Sequence, residues 1–254
     1  MISIQPVIVI YNTYAGDSVS VISMIEQNAR PIIIDNSTSD YNNQNYCEKN
    51  GLTYVSMNGN AGLSKAYNRA VSIINDDVDY ILWLDDDTII PNDYIMSASR
   101  IIEEQKEYDV YIPTIKSVQD DSKFLSPCLL KKNMAYKLDN LDNLKDGQFS
   151  AINSGMIVKR SLYNQYKYNE DIFLDCLDHD FMCDCWENNK KVFLMRSLVL
   201  KQNFSGETKE TKKNKFIRLK IYKKDFITFR KKHKSSAMLT KLYIIKRIIS
   251  IMVK

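Results

Sequence analysis

A short apolar segment that ends in three consecutive aspartates constrains this chain most strongly. Residues 80–84 read Tyr-Ile-Leu-Trp-Leu, and Asp85, Asp86 and Asp87 follow directly. A continuous apolar run of this kind is typical of a strand buried on both faces of a parallel sheet. Ligands of such sheets bind beyond the carboxyl ends of the strands. The adjacent carboxylates repel one another unless a cation or hydrogen-bond donors hold them, and oxygen ligands favour Mg²⁺ or Mn²⁺. The alternative is a solvated acidic turn before a helix.

Strands alternate with helices on both sides of this segment. Other runs that read as strands occupy residues 7–10, 31–35, 52–56, 109–114 and 191–200. The alternation predicts an α/β fold with a mostly parallel central sheet, flanking helices and right-handed crossovers. Periodicity fades over residues 116–148, where we expect a hairpin or loop cover. Residues 149–158 read as one further strand, interrupted by Ser154 and Gly155.

The charge of the chain is divided between two segments. With 254 residues and 44% hydrophobic residues, the chain is long and apolar enough for a large globular domain. Residues 1–208 carry a net charge of −10, whereas residues 209–254 carry +14. We therefore expect a domain at 1–208 and a basic helical appendage at 209–254. Five cysteines and no signal-like N-terminal pattern favour a cytoplasmic protein. No apolar run approaches the roughly 20 residues of a membrane span.

The basic segment reads as two amphipathic helices. In the first, the apolar positions recur every three or four residues and are Phe216, Leu219, Tyr222, Phe226 and Phe229. The second is expected to start near Ser235, with an apolar stripe of Leu242, Ile245, Ile249 and Met252. We expect the first face to pack on the body or on a second copy in a homodimer, and the last helix to bind anionic lipid at the inner face of the plasma membrane. An acidic body and an aromatic-lined face argue against nucleic acid as the partner. His233 is expected to be solvated.

A cluster of potential metal ligands lies further along the chain. Cys176, His179, Cys183 and Cys185 fall within ten residues. Their spacing does not match the paired knuckles of structural zinc sites, and residues two apart on a helix point to different sides. We interpret the cysteines as small packing residues.

Several separated motifs then coincide in order. They are Tyr11-Asn12, Asp35-Asn36-Ser37, Asn60-x-Gly62 with Ala66-x-Asn68, Asp85-Asp86-Asp87, Ser154-Gly155, and Asp175-x-x-Asp178-x-Asp180. Together, over roughly residues 5–206, they resemble glycosyltransferase family two, inverting enzymes of the type-A fold, and especially its bacterial rhamnosyltransferase-like members.

The resemblance implies a nucleotide site at the strand ends. Asp35 would accept a hydrogen bond from the pyrimidine ring N–H, and the other nucleotide-binding positions would be Tyr11, Asn36, Asn60, Gly62, Asn68 and Asp85 to Asp87. A helix start with small residues suits the anionic part of a nucleotide. Ordinary helix capping by Asp35 and a Gly-containing turn at residue 62 are the alternatives.

The resemblance also implies a metal site. Asp85 and Asp87 match the family's Asp-x-Asp, which holds Mn²⁺ or Mg²⁺ against the diphosphate and so offsets the charge on the leaving group. Asn203 stands where many relatives have a histidine, and we expect it as a third ligand through its carbonyl oxygen. Gln202 is an equally short reach away.

The catalytic base is implied at Asp178, which aligns with the aspartate of the family's Glu-Asp pair. Leu177 replaces the Glu, and Asp175 or Asp180 could supply the lost charge. Together with Ser154 and Gly155, these two acids are the expected substrate-binding residues. Capping of the cysteine-rich helix is the alternative role for Asp178.

These motifs favour a metal-dependent inverting glycosyltransferase. It would move a sugar from a UDP- or dTDP-sugar to a lipid-linked or polysaccharide acceptor in bacterial surface polysaccharide synthesis, such as capsule or cell wall. A sugar-nucleotide pyrophosphorylase is a second class, but residues 5–20 lack the Gly-rich phosphate loop with Arg and Lys that it requires. A non-catalytic membrane- or nucleic-acid-binding protein with an inert body is the third.

Overall fold

The computed structural model describes residues 2–142, 144–203 and 212–253. The strands are β1 (Ile4–Ile10), β2 (Ile32–Asp35), β3 (Thr53–Ser56), β4 (Tyr80–Asp85), β5 (Val110–Ser117), β6 (Phe124–Ser126), β7 (Cys128–Lys131), β8 (Met134–Tyr136), β9 (Phe149–Ser150), β10 (Ile157–Lys159) and β11 (Val192–Gln202). The helices are α1 (Val19–Glu26), α2 (Asn43–Lys49), α3 (Leu63–Val71), α4 (Tyr94–Glu104), α5 (Leu177–Glu187), α6 (Lys212–Lys232) and α7 (Ala237–Val253).

The central sheet is mostly parallel, as predicted. Its strand order is β11-β5-β10-β4-β1-β2-β3, with β6 paired to β5. The pairs β4 with β1, β1 with β2, β2 with β3 and β5 with β11 are parallel. Strand β10 is antiparallel to both β4 and β5. The order reverses beside β1, and the parallel strands open the crevice in which ligands of such sheets bind.

The apolar run of β4 is buried on both faces of this sheet. Ile81 and Trp83 join one core cluster, whereas Leu82 and Leu84 join the other. Successive side chains of a strand point to opposite faces, so this strand must be apolar throughout. Its fixed position in the middle of the sheet sets the place of the acids that follow.

Residues 149–158 do not form one strand, so that prediction is wrong. Strand β9 joins a small antiparallel sheet with β7 and β8, whereas β10 enters the central sheet. The turn between them contains Gly155 at φ +80°, where a Cβ would lie 2.6 Å from Leu200 and 2.7 Å from Pro113. The close approach of these side chains, together with the positive φ, explains why the chain needs glycine and bends at this point. The hairpin expected within 116–148 is present as β7 and β8.

The two basic helices pack against the rest of the chain. Phe226 and Phe229 of α6 and Ile244 of α7 belong to the same core cluster as Trp83. His233 is 8% exposed, so the expectation that it is solvated is wrong. The domain boundary expected after residue 208 lies outside the described residues and stays a prediction. Within the described ranges, no helix combines the length and apolar character needed to cross a membrane.

Candidate active site

The acidic loop after β4 is fixed by its backbone. The carbonyl oxygen of Asp85 accepts a hydrogen bond from Ser20, and that of Asp86 accepts one from Ser18 at 2.7 Å. Both serines lie at the start of α1. The N–H of Asp85 donates to Ser154 Oγ at 3.1 Å. These bonds use backbone groups of the loop, so they fix its position without engaging the Asp85, Asp86 or Asp87 carboxylates.

Gln202 lies between two of these carboxylates. Its Nε2 donates to Asp85 Oδ2 at 2.8 Å and to Asp87 Oδ1 at 3.0 Å. The side chain sits at the end of β11 and is 8% exposed, and its Oε1 has no hydrogen-bond partner among the described residues. Asn203, the expected third metal ligand, is exposed one residue later. The structure therefore brings Gln202, not Asn203, to the acids.

Burial and repulsion between neighbouring carboxylates disfavour the ionised forms of Asp85 and Asp86. Burial raises the pKa of Asp85 to about 6, with a contribution from Asp87, although the hydrogen bond from Gln202 lowers it. Burial and the charges of Asp87 and Asp85 raise the pKa of Asp86 to about 6 as well. A cation would relieve both effects. The carboxylate atoms that could bind a metal here are all oxygens. Asp85 and Asp87 lie close enough together for Nε2 of Gln202 to bond both. These two acids therefore fit a shared Mg²⁺ or Mn²⁺.

Asp178 faces the same space from the first turn of α5. Burial raises its pKa to about 8, and the charge of Asp85 is the next largest cause. A backbone hydrogen bond from Asn153 acts in the opposite direction. Leu177, which stands in place of the family's Glu, is fully buried in the core. A half-buried carboxylate with a raised pKa beside an acidic loop has the properties of a general base.

Asn153 is a residue that the sequence analysis missed. It is 3% exposed, and neither atom of its side-chain amide makes a hydrogen bond of good geometry within the described part of the chain. Its backbone contacts Asp178, and the next residue, Ser154, contacts the Asp85 backbone. The sequence feature that could have identified Asn153 is the polar run Asn-Ser-Gly, which interrupts an otherwise apolar segment.

Three of the expected nucleotide-binding residues, Asn36, Asn60 and Gly62, form one hydrogen-bond network beyond the end of β2. Asn36 Nδ2 donates to Asn60 Oδ1 at 3.2 Å, and Asn36 Oδ1 accepts from the N–H of Ala61 at 2.8 Å. Asn60 Oδ1 also accepts from the N–H of Gly62 at 3.2 Å. Tyr11 is 50% exposed at the end of β1. The structure thus brings these positions together at one edge of the sheet.

Asp35 is held from several sides. Its Oδ1 accepts from the N–H of Ser37 at 2.9 Å, and its Oδ2 accepts from Asn43 at 2.9 Å and from the Tyr54 hydroxyl at 3.1 Å. The residue is 6% exposed. Each carboxylate oxygen has two acceptor positions, so Oδ1 can still accept one N–H.

Gly62 and Asn68, at the start of α3 and within it, contact the segment 168–173. Gly62 has φ +91°, and a Cβ there would lie 2.6 Å from the Phe173 ring. Asn68 donates to the Tyr168 carbonyl at 3.0 Å and to Glu170 at 3.0 Å, and it accepts from the Tyr168 N–H at 2.9 Å. The side-chain amide of Asn68 is thus engaged with residues 168–170, and its role in nucleotide binding stays a prediction.

The four expected substrate-binding residues are occupied by protein contacts. Ser154 is 1% exposed and braces the loop through Asp85 and Thr88, and the Gly155 N–H donates to the Trp83 carbonyl at 2.7 Å. Asp175 Oδ1 pairs with Arg218 at 2.9 Å. Asp180 is fully buried, and its oxygens accept from Lys232 at 2.8 Å and His233 at 2.9 Å. Asp175 Oδ2 has no hydrogen-bond partner among the described residues. Direct contact of these four residues with a substrate stays a prediction.

A mostly parallel sheet with an acidic loop at the end of a central strand, faced by a carboxylate on α5, is consistent with the type-A glycosyltransferase fold. The chain belongs to Glycosyl transferase family 2, since residues 7–167 match that family. The match includes the Asp85 loop, whereas Asp178 and Gln202 lie beyond it. A comparison with curated protein sequences finds no match.

Solved structures share this fold at low sequence identity. S. aureus TarS has a TM-score of 0.57 at 16% identity, with 89% of this chain covering 39% of that chain. GalNAc-T7 with UDP, GalNAc and Mn²⁺ has a TM-score of 0.62 at 12% identity, with 98% of this chain covering 58% of that chain. Mannosyltransferase PcManGT from Pyrobaculum calidifontis in complex with GDP-Man and Mn²⁺ has a TM-score of 0.61 at 11% identity, with coverages of 95% and 69%. The chain therefore spans less than two thirds of TarS and of GalNAc-T7.

Proposed function

We propose that this glycosyltransferase is metal-dependent and inverting, and that it moves a sugar from a UDP- or dTDP-sugar to an acceptor hydroxyl. One arrangement carries the proposal: Gln202 holds the carboxylates of Asp85 and Asp87 together at the end of β4. Asp178 faces them from α5, where burial first and the charge of Asp85 second raise its pKa. An inverting transfer needs a base for the acceptor and a site that stabilises the leaving diphosphate, both beside one anomeric carbon.

Asp85 and Asp87 would hold Mn²⁺ or Mg²⁺. Their carboxylates are oriented by Gln202, and the raised pKa of Asp85 reflects a charge that a cation would stabilise. When bound, the cation offsets the negative charge that develops on the departing nucleoside diphosphate. Two proteins of similar fold, GalNAc-T7 and PcManGT, are described with Mn²⁺ and with UDP or GDP-Man, which supports this kind of donor.

Asp178 would act as the base. It takes the proton from the acceptor hydroxyl while that oxygen attacks the anomeric carbon from the face opposite the diphosphate, whose bond to the sugar breaks. The base must be ionised to act, and its pKa of about 8 depends on burial and on the charge of Asp85.

The nucleotide would lie over the edge formed by β1 and β2. Asp35 Oδ1 has acceptor capacity for the ring N–H of uracil or thymine. The half-exposed Tyr11 lies at the end of the adjacent strand, and Asn36 with Asn60 shapes the loop before α3. This arrangement supports a pyrimidine nucleotide, with rhamnose among the sugars to be tested.

The acceptor would be lipid-linked and reached from the inner face of the plasma membrane. On α7, an outward apolar stripe has exposures of 69% at Met238, 54% at Leu242, 50% at Ile245 and 54% at Ile249. Lys241, Lys246 and Arg247 are exposed on the same helix. An apolar stripe with flanking cations suits an anionic bilayer surface, where each basic side chain contributes about 1 kcal/mol. The side chain of Met252, which the sequence placed in this stripe, lies outside the described residues.

A panel of nucleotide sugars tests the function. UDP-, dTDP- and GDP-sugars are each added with Mn²⁺ or with EDTA, the thermal midpoint is measured, and any product is analysed by NMR for its anomeric configuration. We expect UDP- or dTDP-sugars to stabilise the protein only with Mn²⁺, and the product to have the inverted configuration. Equal stabilisation in EDTA, preference for GDP-sugars, or a retained configuration would each contradict the corresponding part of the proposal.

A further inference from the structure

Asp225 of α6 binds the backbone that leads into α5. It is one of two acidic residues in the basic segment 209–254, and it is fully buried. Its carboxylate accepts hydrogen bonds from three consecutive backbone N–H groups, those of Phe173 at 2.9 Å, Leu174 at 2.8 Å and Asp175 at 2.9 Å. Successive N–H groups that converge on one anion form a concave site whose conformation depends on that anion.

The segment 173–175 also contacts the start of α3. The carbonyl oxygen of Phe173 accepts a hydrogen bond from the N–H of Leu63 at 2.7 Å. The Phe173 ring lies so close to Gly62 that a Cβ there would be 2.6 Å away. Residues 173–175 therefore lie between α6 and the loop at Gly62 that precedes α3.

The same segment sets the position of Asp178. It is followed by Cys176 at φ +65°, a left-handed residue at the N-cap of α5, and then by Leu177 and Asp178. Only two residues separate Asp175 from Asp178. A displacement of residues 173–175 would therefore be transmitted to the first turn of α5.

A second group of contacts joins α5 to Lys232, the last residue of α6, and to His233, which follows it. Lys232 and His233 bind Asp180, Asp184 and Glu187. These contacts dock α6 on α5 without touching residues 173–175. They provide a matched control for the effect of helix docking alone.

We propose that Asp225 is a positioning residue, which holds residues 173–175 against α3 and thereby places Asp178 over the acidic loop. The proposal rests on the proposed function for the role of Asp178. Asp225→Asn replaces one acceptor oxygen by an NH₂ group, which faces backbone N–H donors and cannot accept from them. Misplacement of a catalytic group by about 1 Å can cost roughly 10²-fold in rate.

The test compares wild type, Asp225→Asn and the control Glu187→Gln. Amide hydrogen exchange is followed at residues 173–175, the backbone amide signal of Asp178 is followed by NMR, and kcat and KM are measured with the nucleotide sugar that gives transfer. For Asp225→Asn we expect exchange at 173–175 to be at least roughly tenfold faster, the Asp178 signal to move, and kcat to fall roughly 10²-fold with little change in the donor KM. Glu187→Gln should leave all three near wild type.

Two outcomes in the variants would overturn the proposal, and a third, in wild type, decides if Asp225→Asn does not fold. One is an unchanged Asp178 signal and unchanged exchange at 173–175 in Asp225→Asn. The other is an equal loss of kcat in Asp225→Asn and Glu187→Gln, which would assign Asp225 to helix docking alone. If Asp225→Asn does not fold, wild-type exchange decides, because amides bound to a buried carboxylate must be protected, and exchange at the rate of an open loop rejects the assignment. If wild type transfers no sugar, the proposed function fails, while exchange and NMR still test the positioning.

Discussion

The imidazole Nε2 of His233 lies 2.9 Å from Oδ1 of Asp180, and neither side chain is exposed to solvent. The other ring nitrogen, Nδ1, lies 2.8 Å from Glu187. Lys232 bonds both Asp180 and Asp184. Burial opposes the charge on the imidazole, but the bonds to Asp180 and Glu187 outweigh it, so the pKa of His233 is raised. A protonated imidazole is the form that donates to two acids at once.

His233 should make stability depend on pH. A histidine with a raised folded-state pKa contributes stability that is fully present below its unfolded pKa of about 6.5 and is lost as pH rises through the folded value. His233→Gln, which does not titrate, should be less stable than wild type at pH 5.5, and the difference should shrink above the folded pKa. Thermal midpoints of both proteins across this range check it. A constant difference would mean that His233 is neutral throughout.

Asp85→Asn and Asp87→Asn should each abolish Mn²⁺-dependent binding of UDP or dTDP. Each substitution replaces an anionic ligand of a hard cation by a neutral one. Calorimetry with Mn²⁺ and with EDTA measures the effect. Asp77→Asn, at an exposed acid before β4, is the matched control and should bind as wild type does. Nucleotide binding that is as tight in EDTA as in Mn²⁺ would reduce these acids to a structural role.

Gln202→Ala should weaken Mn²⁺ binding by roughly 10–100-fold, the usual cost of losing a group that orients metal ligands. Asn203→Ala should change it much less, because Asn203 is exposed while Gln202 holds both carboxylates. Direct titration with Mn²⁺ distinguishes the two residues. A larger loss in Asn203→Ala would make Asn203 the metal ligand after all.

Asp178→Asn should retain nucleotide binding and lose roughly 10²–10⁴-fold in transfer rate, which is the contribution of a positioned base. It should also stabilise the metal-free protein at high pH. An acid whose pKa is raised to about 8 on folding costs stability as pH rises above its unfolded pKa of about 4, by at most about 1.4 kcal/mol for each pH unit up to the folded pKa. Thermal midpoints in EDTA at pH 5 and 8.5, with Asp171→Asn as control, check this. Near-normal transfer would place the base elsewhere.

Replacement of Leu242, Ile245 and Ile249 by Gln should release the protein from anionic vesicles. These side chains are half-exposed, so their replacement should leave the fold intact while removing the apolar contribution to interfacial binding. Flotation with anionic and neutral vesicles measures it. Met96→Gln, an equally exposed apolar side chain on α4, is the control. Equal binding of wild type to neutral and anionic vesicles, or no binding to either, would reject the membrane surface as partner.

The parts of the site that follow from local patterns could be predicted from the sequence. The apolar run of β4 and its acids lie in one short segment, so the buried strand and its acidic tip could both be inferred. Asn36 and Asn60 were singled out by the family resemblance, and the hydrogen bond that joins them links the turns after two different strands.

The parts of the site that depend on contacts between residues far apart in the sequence could not be predicted. Gln202 reaches Asp85 across 117 residues, and the register of β11 on β5 shifts between Met195 and Val199. Adjacent residues of a strand face opposite sides, so that shift decides whether Gln202 or Asn203 turns toward the acids. The burial of His233 could not be predicted either. It stands in a run of lysines and arginines, and its acidic partners lie about fifty residues earlier.

The carboxylate of Asp225 has a consequence for the order in which the chain acquires its structure during synthesis. A nascent chain that has emerged through β11 contains the nucleotide edge, the acidic loop and Asp178, but the three amides of residues 173–175 lack their acceptor until α6 leaves the ribosome. N-terminal parts of a chain generally fold first. The sheet edge with Asp35 and Asn36 can therefore form early, whereas the three amides that precede α5 find their acceptor only once residue 225 has emerged.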